Sequence, residues 1–218
     1  MELITTLIDF ILHIDEHLAV IIGDYGAWTY GILFLIVFAE TGLVVTPFLP
    51  GDSLIFAAAT FAAKDVLDPW VLFVVMASAG IIGDGVNYAV GHYIGPRVFT
   101  EDVRFLKREY LDRGHEFFEK HGGKAIILAR FVPIVRTFVP FVAGASSMTY
   151  PKFALYNVTG AIAWVGLFDF LGYNFGNIPA VEENFTFVIF GIIFLSLLPP
   201  FIEYFNEKRK MKKEAAEG

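Results

Sequence analysis

Ionisable side chains lie inside two apolar segments of this 218-residue chain, both interrupted by proline. The first segment carries two carboxylates, Glu40 and Asp52, and the second carries two guanidiniums, Arg130 and Arg136. Charges at membrane depth are costly and rare, so they indicate substrate sites, ion pathways or proton relays. Arginine binds phosphate oxygens through a planar charged fork, whereas a carboxylate takes up and releases protons. The pattern therefore predicts anion binding by the arginines and proton coupling or gating by the acids.

The two segments also correspond in position. Shifting the first by ninety residues places Glu40 on Arg130 and Pro50 on Pro140. Proline lacks an amide donor and clashes with the preceding turn, so it interrupts helices. Broken segments in matching halves of a chain indicate a transporter site near the membrane midplane. The predicted hairpin breaks are Pro47, Pro50, Gly51, Pro133 and Pro140.

Composition places the chain among membrane proteins. It is 56% hydrophobic and 18% charged, with a mean hydropathy of +0.61, whereas soluble domains are roughly 45–50% apolar and about 25% charged. No hydrophilic stretch is long enough to fold separately, so residues 1–218 are predicted to form one integral membrane domain. Without cysteine the chain has no disulfides or thiolate sites, and its five histidines show no metal-ligand spacing. We therefore expect no metal, no cofactor, no catalytic residue and no nucleic-acid partner.

Charge distribution predicts the topology. Lys and Arg are absent from residues 1–63 but cluster in residues 97–124 and 208–213. By the positive-inside rule, both basic clusters and the C-terminus are predicted to lie in the cytoplasm. The predicted segments are an amphipathic N-terminal helix (1–23), a first re-entrant hairpin (26–63), a transmembrane helix (70–95), a cytoplasmic amphipathic region (97–123), a second re-entrant hairpin (124–149), two transmembrane helices (153–176 and 184–205) and a basic tail (206–218).

Helix length underlies the hairpin predictions. Leu54–Ala63, Ala125–Val132 and Phe141–Met148 are too short to cross a ~30 Å apolar core at ~1.5 Å per residue. Asp52-Ser53 is predicted to cap the first of these helices, and Gly95-Pro96 to end the transmembrane helix 70–95. The predicted fold is an all-α polytopic membrane protein with an inverted repeat, whose two re-entrant hairpins enter from opposite sides and line a cavity.

Several of these motifs together resemble the DedA family of bacterial inner-membrane proteins, which is related to eukaryotic proteins of the VTT (SNARE-associated) type. The resemblance covers roughly residues 26–176 and rests on Glu40, Gly42, Pro47, Pro50-Gly51-Asp52, Gly83-Asp84, Tyr88, Gly91, Gly95, Arg130-Phe-Val-Pro-Ile-Val-Arg136, Pro140 and Gly144. It implies lipid translocation, notably of undecaprenyl phosphate, with links to protons and membrane potential. It also implies required roles for Glu40, Asp52, Arg130 and Arg136, although Asp52 stands where the family often has Glu.

Alternative roles exist for the individual residues. Glu40 or Asp52 is expected to pair with Arg130 or Arg136 in the empty site, and phosphate would break that pair. Glu40 and Arg130 could instead form a static ion pair. Asp52 could act only as a helix cap, and Asp84 could join the site or simply bond to Asn87 or Tyr88 on its own helix.

Four functions are compatible with the pattern to different degrees. A transporter of a polyprenyl phosphate or phospholipid is favoured, with the bilayer and protons as further partners and homo-oligomers left open. The alternative is a proton-coupled exporter of small cations or drugs, which arginines at the site would repel. A membrane enzyme such as a lipid phosphatase is disfavoured because no histidine lies near the arginines in sequence. A scaffold or chaperone would not require Arg136.

Overall fold

The computed structural model describes residues 13–43, 51–98, 118, 122–146, 148–192 and 194. Within these residues the protein is helical, without a strand, as predicted. The helices are α1 (Ile14–Tyr25), α2 (Thr29–Gly42), α3 (Gly51–Ala63), α4 (Pro69–Val98), α5 (Lys124–Ala129), α6 (Pro133–Ala145), α7 (Tyr150–Phe175) and α8 (Pro179–Glu182), with a 3₁₀ turn at Gly26–Trp28 between α1 and α2. Residues 185–192 are also helical.

Three helical runs are long and apolar enough to cross a membrane: Ile14–Gly42, Pro69–Ile94 and Tyr150–Phe175. The last two correspond to the predicted transmembrane helices 70–95 and 153–176. Part of the predicted helix 184–205, most of the cytoplasmic region 97–123 and the tail 206–218 lie outside the described residues. An all-α fold with three candidate membrane spans is therefore confirmed for the described residues.

The described part of the N-terminal segment packs against the bundle. Residues 1–12 lie outside the described residues, but α1 buries Ile14 and Leu18 completely in the main core. Its backbone turns at Gly26, where φ is +52°, a conformation that favours glycine. This turn separates α1 from α2, and α1 packs mainly against α3.

Two predicted helix ends were wrong. α4 continues through Gly95-Pro96 to Val98, and α6 continues through Pro140 to Ala145. An internal proline removes one main-chain hydrogen bond, a loss that helices in membrane proteins tolerate when neighbouring helices hold them. Pro133 does mark a break, because it lies in the first turn of α6, where an amide donor is not needed. Val132 before it has the extended backbone that proline imposes, with φ −121° and ψ 102°.

The long helices α4 and α7 form the centre of the bundle. α4 packs against α2 and α6, and α7 packs against α3, α4 and α5. Small residues allow these contacts: a Cβ on Gly91 of α4 would lie 2.0 Å from the Phe141 carbonyl oxygen, and one on Gly172 of α7 would lie 2.2 Å from that of Phe56. Glycines at helix interfaces let backbones approach closely. Each long helix thus packs against a short helix from the other half of the chain.

We expect Gly172→Ala to destabilise the protein by about 1–3 kcal/mol, because the added methyl group must push α7 away from α3. Gly85→Ala in α4 is the matched control, since no atom lies within 4 Å of its new methyl group. Thermal unfolding in detergent measures both variants. Equal stability of the two would contradict the proposed tight contact between α7 and α3.

Candidate functional site

Arg136 holds the two predicted acids together. It lies in the first turns of α6, where Nη1 donates a hydrogen bond to Asp52 Oδ1 at 2.7 Å and Nη2 donates to Glu40 Oε1. Glu40 is in the last turn of α2 and Asp52 is in the first turn of α3. The exposed fractions of the Arg136, Glu40 and Asp52 side chains are 7%, 1% and 13%. One buried guanidinium therefore joins both helices that flank residues 44–50.

Gly51 makes room for this arrangement. A Cβ at that position would lie 1.8 Å from Glu40 Oε2 and 2.7 Å from its carboxyl carbon. Any side chain at residue 51 would therefore displace the carboxylate from Arg136. The glycine between Pro50 and Asp52 has a steric role in the site as well as its predicted place at a break; Pro47 and Pro50 themselves lie outside the described residues.

Arg130 forms a second buried ion pair. It follows the end of α5, and its Nη2 donates to Asp84 Oδ2 of α4 at 2.6 Å. The same nitrogen contacts Asn157 Oδ1 of α7 and lies 3.3 Å from the Gly80 carbonyl oxygen of α4. The loop between α5 and α6 is thereby fastened to both central helices.

These pairings decide between the alternatives that the sequence leaves open. Both predicted acids bind Arg136, so a Glu40–Arg130 pair is not formed. Asp84 binds Arg130 rather than Asn87 or Tyr88 of its own helix. Asn87 instead donates to the Thr137 carbonyl oxygen at 2.6 Å. Asp52 does not act only as a cap, because its carboxylate accepts hydrogen bonds from side chains of other helices.

Sequence reasoning missed Trp164 and Asn157, which line the site from α7. Trp164 is buried, and its indole Nε1 donates to Asp52 Oδ1 at 2.8 Å. The Cζ atoms of Arg136 and Arg130 lie 5.0 Å and 5.8 Å from the centroid of its ring, within the range of cation–π attraction. The two missed residues are seven apart in an apolar helix, which places them on one face and could have revealed them.

The charges of the site do not balance. Two guanidiniums, Arg130 and Arg136, face three carboxylates, Glu40, Asp52 and Asp84, so the cluster carries one net negative charge when every group is ionised. The Nε atoms of both arginines are buried and have no hydrogen-bond partner within the described part of the chain. The site thus combines excess acid with two unused cationic donors. Among the described residues, no group of three metal-ligating side chains is arranged to hold a metal ion.

We expect Asp84→Ala to destabilise the protein by about 3–5 kcal/mol, because it leaves the Arg130 guanidinium buried with neutral acceptors only. The double variant Asp84→Ala/Arg130→Met should recover part of that loss by removing the unpaired charge. Thermal unfolding of wild type, both single variants and the double variant gives the coupling energy. Additive effects of the two substitutions would contradict a direct ion pair.

Comparison with known proteins identifies the family to which the chain belongs. The VTT domain matches residues 49–174, a range that contains every site residue except Glu40. Protein DedA of Escherichia coli K12 is 55% identical over 218 residues, covering 99% of this chain and 100% of the relative. The uncharacterized membrane protein ML0287 of Mycobacterium leprae is 42% identical over 199 residues, 89% of each chain.

A more distant relative is the inner membrane protein YqjA of Escherichia coli K12, 34% identical over 151 residues, which is 69% of each chain. No solved structure matches the chain significantly. The similarity to protein DedA extends over 99% of this chain. With its matching domain and apolar helices, this protein belongs to the DedA family of VTT-domain membrane proteins, a transporter-like family.

Proposed function

We propose that this protein transports a phosphate-bearing lipid, namely undecaprenyl phosphate, across the bacterial inner membrane and couples that transport to protons or membrane potential. The observation that carries the proposal is the buried Arg136 guanidinium, which binds two carboxylates from two different helices. An ion pair that only held two helices together would need a single carboxylate on the Arg136 guanidinium. Two carboxylates on one guanidinium pair both Nη atoms of Arg136 in the absence of an anionic ligand, while its Nε remains without a partner in the described part of the chain.

Phosphate is the ligand whose chemistry fits this fork. Carboxylate and phosphate oxygens bind arginine in the same planar, paired geometry. Glu40 and Asp52 therefore occupy the positions that two phosphate oxygens would take, and the unused Nε donors of Arg136 and Arg130 add capacity for further oxygens. Removing a carboxylate from a buried arginine is costly unless another anion takes its place. If a phosphate replaces the Glu40 and Asp52 carboxylates, the Arg136 guanidinium remains paired with an anion throughout the exchange.

Charge balance supports proton coupling. The site already holds three carboxylates against two guanidiniums, so a phosphate would add negative charge to a buried cluster with a net charge of −1. Repulsion between buried like charges is strong because water screens them poorly. Protonation of a displaced carboxylate reduces that repulsion by neutralising one negative charge. Glu40, the less exposed of the two acids on Arg136, is the proposed proton carrier.

The proposed architecture is an inverted repeat with two re-entrant hairpins, α2–α3 and α5–α6. Pro69–Ile94 and Tyr150–Phe175 each contain 26 residues, and α3 and α6 each contain 13 residues. In such a repeat each long helix would pack against the short helix of the other half, as α4 packs against α6 and α7 packs against α3. In this architecture residues 1–218 form one membrane domain with a cytoplasmic C-terminus, and both hairpins bring their charged residues to a common site.

We expect Arg136→Ala to reduce undecaprenyl phosphate translocation in proteoliposomes at least about 10-fold, because charged hydrogen bonds to the phosphate are lost. Lys64→Ala is the control, since it also removes an ion-paired cation but on the exposed Lys64–Glu182 pair. Both variants are reconstituted at equal protein density after their thermal unfolding has been compared. Unchanged transport by a folded Arg136→Ala variant would contradict the proposed site.

We expect Glu40→Gln to flatten the pH dependence of transport, since glutamine cannot take up the proton that would compensate the charge of the entering phosphate. Transport is measured across a pH series with and without an imposed proton gradient. Asp52→Asn is the matched comparison, because it removes the other carboxylate on Arg136. A wild-type pH profile in Glu40→Gln, with a flattened profile in Asp52→Asn, would assign proton coupling to Asp52 instead.

The excess of acid in the site also favours a second candidate, a proton-coupled exporter of small cations or drugs. In that case Glu40, Asp52 and Asp84 would bind the cargo after leaving the arginines. The same proteoliposomes discriminate the two candidates. A protein that moves no lipid phosphate but exchanges cations for protons would support the exporter.

A further inference from the structure

Two donors from different helices converge on a single oxygen of the site. Arg136 Nη1 and Trp164 Nε1 lie 2.7 Å and 2.8 Å from the same atom, Asp52 Oδ1. Two donors that share one acceptor define an oxyanion position, because each is aimed at the same small volume. The Asp52 carboxylate fills that position in this structure.

The indole that supplies the second donor is held in place. Trp164 is buried, and a Cβ on Gly80 of α4 would lie 3.4 Å from its Cζ3 atom, so the ring packs closely against that helix. Its ring lies beside both guanidiniums, at 5.0 Å from Arg136 Cζ and 5.8 Å from Arg130 Cζ. Helix α4 and both guanidiniums therefore surround the ring and favour its present orientation, in which the N–H points to the position of Asp52 Oδ1.

We propose that Trp164 is a ligand-binding residue, whose indole N–H and Arg136 together bind one oxygen of a phosphate headgroup that replaces Asp52 Oδ1. This inference rests on the proposed function and adds a donor and a selectivity device to that site. Exchange of one acceptor oxygen for another leaves both donors satisfied, so neither becomes an unpaired buried group. No covalent step is involved.

The second donor gives the site chemical selectivity. An indole N–H can donate a hydrogen bond but has no lone pair to accept one. The position therefore accepts an anionic or carbonyl oxygen and offers nothing to an ammonium group. An alcohol that lacks the phosphate would bind poorly, because it would lose the charged interaction with Arg136.

Trp164 itself can report the exchange. The chain has three tryptophans, and the other two, Trp28 and Trp70, are 80% and 78% exposed. The variant Trp28→Phe/Trp70→Phe should therefore fold normally and leave Trp164 as the sole tryptophan. In detergent, we expect farnesyl phosphate to change Trp164 fluorescence in a saturable manner, and farnesol at the same concentrations to leave it unchanged.

The direct test is the affinity of otherwise wild-type Trp164→Phe for farnesyl phosphate, measured by calorimetry. Phenylalanine keeps an aromatic ring but lacks the N–H, so we expect affinity to fall about 10-fold, while Trp70→Phe binds like the wild type. Thermal unfolding establishes that the variants are folded. If Trp164→Phe does not fold, the fluorescence change of the single-tryptophan protein decides the proposal.

Three outcomes are separable. Weaker binding by Trp164→Phe, with a phosphate-dependent fluorescence change, supports the inference. Equal affinity of Trp164→Phe and wild type, with binding still lost in Arg136→Ala, overturns the role of Trp164 and leaves the proposed function intact. No binding of farnesyl phosphate by the wild type overturns both.

Discussion

The structure depends on the need to pair charge that is buried in an apolar bundle. An isolated guanidinium in such surroundings is very costly, so each arginine must be met by carboxylates delivered from elsewhere in the chain. Arg136 of α6 is met by Glu40 of α2 and Asp52 of α3, and Arg130 is met by Asp84 of α4. These ion pairs determine which helices lie together, because α2, α3, α4 and α6 cannot separate without exposing an unpaired charge to apolar surroundings.

Close backbone packing allows the pairs to form. At 13 residues each, α3 and α6 are shorter than a helix that crosses a ~30 Å apolar core, and they pack against the long helices α7 and α4. Glycines at their contacts bring the backbones within reach, as at Gly91 against Phe141 and Gly172 against Phe56. Glycine packing and charge pairing therefore act on the same helices.

The two arginines have different surroundings, which favours different roles for them. Arg130 is bound by Asp84, by the Asn157 amide and by the Gly80 carbonyl group, and these partners belong to the two central helices. Arg136 is bound by carboxylates at the ends of two helices that flank residues 44–50. The first set of partners is suited to fastening a loop, whereas the second is suited to exchange with a ligand. The Trp164 ring lies beside both guanidiniums.

The sequence by itself determined the membrane class, the all-α fold and the charged residues of the site. Charged residues are rare within apolar sequence, so four of them could be named as candidate site residues: Glu40, Asp52, Arg130 and Arg136. It also indicated Asp84, although not its partner. Only the tertiary structure decided that Glu40 and Asp52 share Arg136 and that Asp84 binds Arg130, because ion pairing depends on distances between helices that are far apart in the chain. The continuation of α6 through Pro140 and the place of Trp164 were decided in the same way, since packing against neighbouring helices outweighs the local preference of a proline and gives a buried indole its partners.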